Sequence, residues 1–360
     1  MKRKLGVLGI LLVLVVAVQI WRTLSAAGVF TSVPGGPALA CAAVPGAPGA
    51  EDMALDRARG LVYVSSLDRR AAARGPVNGG LYRFSLHDPA DTLTEITPPT
   101  IKRFAPHGLS LYTAPNGTQT LYVVNHATTW SEATDLFGRG QVVEVFTIAA
   151  DGSVLHRKTV SDPTFFSLND VVAVDENRFY VTNDHGSAPG FARLVEDYAL
   201  WGQANVVYFD GTAAIPVATG LTYANGVNLS PDGDTLYVAE TTGRRIARFD
   251  VERATGALKF RATVPLGFGV DNIDVDADGV LWVAGHPKLF EFLAHAADPA
   301  RLSPSQAVSV RFTPGAAPEI RTRFADDGTR ISGASIAVAG QGKLVLGSVF
   351  GPDFLVCDLP

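Results

Sequence analysis

The sequence predicts an all-β fold, a six-bladed β-propeller closed by a disulfide between its N- and C-terminal strands. Three observations carry this. Six short apolar strands open on polar residues: Glu51-Asp52 before MALD, His107-Gly108 before LSLY, Asn169-Asp170 before VVAV, Asn225-Gly226 before VNLS, Asp271-Asn272 before IDVD and Ser332-Gly333 before ASIAV. Each is followed by a second strand of one type: Leu61–Ser66, Leu121–His126, Phe179–Asp184, Leu236–Thr241, Leu281–His286 and Leu344–Val349. The second strands recur at intervals of about 45 to about 63 residues, a period that marks propellers and arrays. A radial fold brings the same edge of every repeat to one axis, so residues far apart in sequence meet at a single site.

Turn signals separate the paired strands at Pro115-Asn116-Gly117, Pro231-Asp232-Gly233 and Ala277-Asp278-Gly279. Composition agrees with many short strands and a large core: of 360 residues, 47% are hydrophobic and 18% charged, with Gly 36 and Pro 22. A formal net charge of −5, with no Lys/Arg run beyond the first four residues, leaves no electrostatic footprint for nucleic acid.

At the N-terminus, Lys2, Arg3 and Lys4 precede the apolar run Leu5–Ile20. That order describes a secretory signal or a retained membrane anchor over residues 1–28, and either takes the body of the protein out of the cytoplasm. Ser25-Ala26-Ala27 would serve as a cleavage site, though Arg22 stands between it and the apolar core. Residues 29–40 are rich in Pro and Gly and read as a linker to one domain over 41–360. In an exported chain the two cysteines, Cys41 and Cys357, suggest a disulfide that fastens first and last blades, two free buried thiols being the alternative.

Helical periodicity is clearest over Gly190–Trp201, where Phe191, Leu194, Val195, Tyr198 and Trp201 recur at three- and four-residue spacing. This helix is expected beside a blade end, as a lid, a membrane-facing wall or a helix packed outside the barrel. The stretch Asp68–Gly80 is polar and aperiodic, and reads as a mobile loop over one face of the ring.

The first strand of each propeller blade lines the central channel, so the residues entering it converge. They bring carboxylates from Glu51, Asp52, Asp170 and Asp271 and amide oxygens from Asn169, Asn225 and Asn272. Six to eight hard oxygens at flexible geometry suit calcium, whereas zinc would want Cys or paired His. The competing reading is Asn/Asp turn residues bonding their own backbone. His107 stands at a first-strand start and His126 at the end of the second strand of the same repeat. A histidine beside such a cation can take a proton from water, and a second can orient it and pass the proton on. His185 and His286 are weaker candidates, while His87, His156 and His295 read as surface residues. No Gly-x-Ser-x-Gly elbow, phosphate-binding Gly loop or His-Glu-x-x-His is present.

At these residues the sequence resembles the serum paraoxonase/arylesterase family. The carrying segments are Glu51-Asp52, PHGLSLY (106–112), LYVVNH (121–126), LNDVVAV (168–174), FYVTNDH (179–185), YANGVNLSPDG (223–233), VDNIDVD (270–276), LWVAGHP (281–287) and the tail to Cys357. The resemblance implies a six-bladed propeller with two calcium ions in its channel, hydrolysing lactones and aryl esters with organophosphate triesters as side substrates. It implies Glu51, Asn169, Asn225, Asp271 and Asn272 as ligands of a catalytic calcium. Asp52, Asp170 and the backbone carbonyl of Leu109 would hold a structural one, with His107 and His126 as a catalytic dyad. It also favours an uncleaved N-terminal anchor. The departures fall at Asp68–Gly80, Thr128–Gly140 and Gly190–Trp201, segments expected to select substrates. Two other readings stay open: a gluconolactonase-like or strictosidine-synthase-like propeller with another substrate class, and a non-catalytic calcium-stabilised binding module.

Overall fold

Six four-stranded antiparallel sheets stand in a ring in the computed structural model, which describes residues 2–33, 35–126, 141–149 and 151–359. The first strands are Ala50–Asp56, Pro106–Thr113, Leu168–Ala173, Ala224–Leu229, Gly269–Val275 and Ala334–Gly340. Each packs on the next, and the sixth packs on the first. The second strands, Leu61–Ser66, Gln119–Asn125, Phe179–Asn183, Thr235–Glu240, Leu281–His286 and Lys343–Ser348, lie within a residue or two of their expected bounds. They are almost wholly buried because a neighbouring blade covers each face, which is why their sequences read as continuous apolar runs. Gly117, Gly233 and Gly279 take φ of 85°, 74° and 74° at the hairpin turns where glycine was expected.

The sixth blade borrows its outer strand from the start of the ring. Cys41–Pro45 pairs with Asp353–Asp358, and Cys41 faces Cys357 in register with a disulfide between them. Between blades the core is aromatic and β-branched; Phe179 stacks on Phe209 at 4.9 Å while Phe165, Val124 and Val145 fill the same layer.

One irregularity recurs in all six first strands. Pairing with the second strand slips between Ala50 and Asp52, Pro106 and Leu109, Leu168 and Val171, Ala224 and Val227, Val270 and Ile273, and Ala334 and Ala337. The polar residues singled out above sit in these β-bulges, which re-aim side chains that a regular strand would alternate across the sheet. In the sixth repeat the bulge holds Ser335 and Ile336, so Ser332-Gly333, expected to open that strand, lies just before it.

The helices are α1 (Lys2–Ala26), α2 (Arg69–Ala72), α3 (Pro89–Thr92), α4 (Phe191–Ala199) and α5 (Leu289–Ala297). Helix α4 falls where periodicity placed it, but its apolar stripe faces out: Phe191, Leu194, Val195 and Tyr198 are exposed, while Glu196 is buried and accepts the Gly186 and Ser187 N–H groups. The C-terminal part of α1 lies against it, Thr23 Oγ1 donating to the Tyr198 carbonyl at 2.6 Å. Between Ile10 and Ile20, α1 exposes its leucines, isoleucines and valines. Helix α5, not anticipated, carries a 3–4 pattern in Leu289, Phe292, Leu293 and Ala296, and with α1 and α4 it encloses an apolar cavity of about 240 Å³. The segment Thr128–Gly140 lies outside the described residues.

Candidate metal centre and active site

All seven acidic and amide residues expected in the channel are there, and every one is buried. They divide by what their oxygens do. Asp52 and Asp170 act on backbone. Asp52 Oδ1 accepts the N–H of Met53 at 2.8 Å and Oδ2 that of Leu109 at 2.7 Å; Asp170 Oδ1 accepts Val171 N–H and Oδ2 accepts Val227 N–H, both at 2.7 Å. The turn-type reading therefore holds for part of their bonding. These two carboxylates and Leu109 line one polar channel cavity of about 140 Å³.

The others do not bond backbone in that way. Glu51 Oε2 and the Oδ1 atoms of Asn169, Asn225 and Asn272 are buried oxygens without a hydrogen-bond partner. One such atom normally costs about 1–3 kcal/mol, so four around one channel ask for a cation. Their orientation is fixed from behind. Asn225 Nδ2 donates to Thr241 Oγ1 at 3.1 Å, Asn272 Nδ2 donates to Glu51 Oε1 at 2.7 Å, and His286 Nε2 donates to Asp271 Oδ2 at 2.8 Å. Hard oxygen donors alone fit calcium. Among the described residues no three His, Cys, Asp or Glu form a metal-holding group of their own, so an ion held here would have to draw on the amide oxygens as well.

Charge points the same way. Burial raises the Glu51, Asp52, Asp170 and Asp271 carboxyls above their ordinary range, most strongly Asp52 and Asp170; the Asp170 charge adds to the rise at Asp52. A divalent cation would be a fitting counterweight. Space is tight enough to need glycine: a Cβ on Gly108 would lie 2.3 Å from Asp170 Oδ1, and one on Gly226 2.6 Å from the Asn272 Cα.

His107 and His126 meet, as antiparallel pairing suggested, with rings stacked at 4.9 Å and 24°. His126 Nε2 donates to the Leu168 carbonyl at 2.8 Å. His107 Nε2 stands 3.9 Å from Glu51 Oε1. Burial, with Arg69 adding to it, pushes His107 down to about 3; burial, with His107 adding to it, does the same to His126.

Several residues about the site were missed or misplaced. Asp68–Gly80 is tied down: Asp68 caps α2 by accepting Ala71 N–H, and Arg69 is buried with Nη2 2.8 Å from His107 Nδ1 and 3.8 Å from Glu51 Oε2. His185 bridges Asp184 and Asp197 at 2.8 and 2.9 Å, tying the third blade to α4. Burial lowers its affinity for a proton, but the two carboxylates outweigh that and raise it to about 9. Ser335 supplies the sixth blade's contact by donating to the Glu51 carbonyl at 2.6 Å. His295 is buried in α5 and held by the Arg301 carbonyl, and His156 is half-buried on Glu144; both were expected at the surface, and only His87 is exposed.

The fold is that of a six-bladed propeller, with buried acidic and amide oxygens gathered at the starts of its first strands. The family model described as Arylesterase matches residues 32–359. Serum paraoxonase/arylesterase 1 of Mus musculus is 34% identical over 261 residues, 72% of this chain and 70% of that protein. Serum paraoxonase/arylesterase 2 of Homo sapiens is 32% identical over 261 residues, 71% of this chain and 69% of that protein. The chain belongs to the arylesterase family and is an ester-hydrolysing enzyme. Two solved structures share the fold. A gluconolactonase of Xanthomonas campestris is 18% identical with TM-score 0.52, covering 89% of this chain and 90% of its own. The calcium-binding protein regucalcin of Agrobacterium tumefaciens is 14% identical with TM-score 0.51, covering 88% and 93%.

Proposed function

We propose that this chain is a calcium-dependent hydrolase of lactones and aryl esters, in which His107 takes the proton of the attacking water. The observation that carries this is the set of four buried oxygens without a hydrogen-bond partner, one of them on the Glu51 carboxylate that stands 3.9 Å from His107 Nε2. Glu51, Asn169, Asn225, Asp271 and Asn272 would hold one ion, and Asp52, Asp170 and the Leu109 carbonyl a second. Bound at the first position, calcium supplies positive charge to polarise a carbonyl and stabilise an oxyanion.

The chain's own residues do the rest. His286 and Thr241 keep Asp271 and Asn225 aimed into the channel. Burial keeps His107 neutral, as a base must be, and the stacked His126 fixes its ring plane. Organophosphate triesters enter as side substrates of the same charge-stabilising site. The exposed apolar α1, with the outward stripe of α4, holds the exported enzyme at a membrane surface. The test is hydrolysis of phenyl acetate, a lactone panel and one phosphotriester, with and without chelator. Calcium-restored turnover of esters and lactones is expected; chelator-insensitive turnover would refute the metal, and no turnover of either class the substrate assignment.

A further inference from the structure

Among the described residues, Arg69 is the cation placed against His107. Its helix α2 is clipped to neighbouring backbone by two arginines. Arg69 Nη1 donates to the Gly49 and Val349 carbonyls at 3.2 and 3.4 Å. Next to it, Arg70 donates to the Phe350 and His295 carbonyls at 2.8 and 2.5 Å and covers the Phe350 ring at 5.1 Å. The clip thus ties the first blade to the sixth and to α5.

A guanidinium has five N–H donors and no acceptor. The imidazole nitrogen 2.8 Å from Arg69 Nη2 must therefore present its lone pair, so His107 Nδ1 is unprotonated and the ring proton sits on Nε2, toward Glu51. In this arrangement the ring's single lone pair is already taken, and His107 has nothing with which to accept a proton from water.

We propose that Arg69 is a positioning residue that latches His107 in the Nε2–H tautomer with Nδ1 occupied, and that the histidine becomes a base only when the α2 segment lets go. The rate consequence rests on the reading of His107 as the base; the tautomer does not. If latched molecules make up about nine-tenths of the population, releasing the latch raises kcat about tenfold, the reciprocal of the competent fraction.

The experiment is ¹⁵N NMR of histidine-labelled full-length protein at neutral pH, with His107 assigned by its loss in His107→Gln, alongside kcat on phenyl acetate. Wild type is expected to show an unprotonated, hydrogen-bonded Nδ1 and a protonated Nε2. Arg69→Ala is expected to lose the Nδ1 hydrogen-bond shift, mix tautomers and raise kcat. Arg70→Ala, which leaves the site's own groups in place, is expected to do both in smaller measure. A protonated Nδ1 in wild type, a spectrum unmoved by Arg69→Ala, or a shifted spectrum with lowered kcat in both variants overturns the latch. Undiminished activity in His107→Gln would instead remove the base assignment while the tautomer result stands.

Discussion

Asp170 joins two blades through one carboxylate, accepting Val171 N–H in its own strand and Val227 N–H in the next at 2.7 Å each. Asp52 repeats the device two blades earlier with Met53 and Leu109. Both bulges are thereby completed by side-chain oxygen where backbone pairing slips, and the ring is stitched along its axis.

Replacing Asp170 or Asp52 by Ala should therefore cost mainly stability, about 1–3 kcal/mol for each N–H left unpaired. Asp271→Ala, whose carboxylate bonds His286 and no backbone N–H described here, should cost mainly activity. Urea midpoints and kcat on one lactone separate the two classes. A fully stable Asp170→Ala would refute the stitching role.

Metal removal should lower both melting temperature and activity, since a bound ion stabilises only the folded state. Thermal melts against free calcium should rise with the logarithm of its concentration. Melts and rates that ignore exhaustive chelation would rule the ion out.

His107→Gln should lower lactonase activity by roughly 10²–10⁴ with calcium content unchanged. Because burial and Arg69 hold His107 neutral down to about pH 3, its titration should leave no inflection in the ordinary imidazole range. A pH–rate profile of wild type on one lactone checks this.

The Asp184–His185–Asp197 bridge gives a pH dependence of stability. The folded imidazole is raised to about 9 from an ordinary 6.5. Its contribution is fully present below 6.5 and is lost as pH rises through about 9. The melting-temperature gap between wild type and His185→Gln should shrink across that window. A gap constant with pH would mean that the bridge contributes no charge-dependent stability.

Opening the Cys41–Cys357 bond with Cys357→Ser should cost about 4–5 kcal/mol, near the upper end for disulfides because the closed loop spans nearly the whole chain. Equilibrium urea unfolding measures it. The variant should remain a propeller, held by the pairing of Cys41–Pro45 with Asp353–Asp358.

The number of blades, the second strands to within a residue or two, the terminal disulfide and the acidic and amide residues at the first-strand starts were legible in the residues alone. Those features are local or periodic: a strand buried on both faces must be apolar, a turn with positive φ wants glycine, and a repeat announces itself by its spacing. Tertiary structure alone decided the bulge that turns each polar pair toward the axis, because a slip in register has no signature in either strand read separately. It also decided that Asp52 and Asp170 bond backbone while Asn169, Asn225 and Asn272 leave oxygens open, since the cross-blade partners Leu109 and Val227 lie 57 residues away along the chain. Arg69 shows the limit most clearly. In sequence it is one of several arginines in a polar stretch, and only the packing of the first blade on the second brings its guanidinium to His107, 38 residues away along the chain.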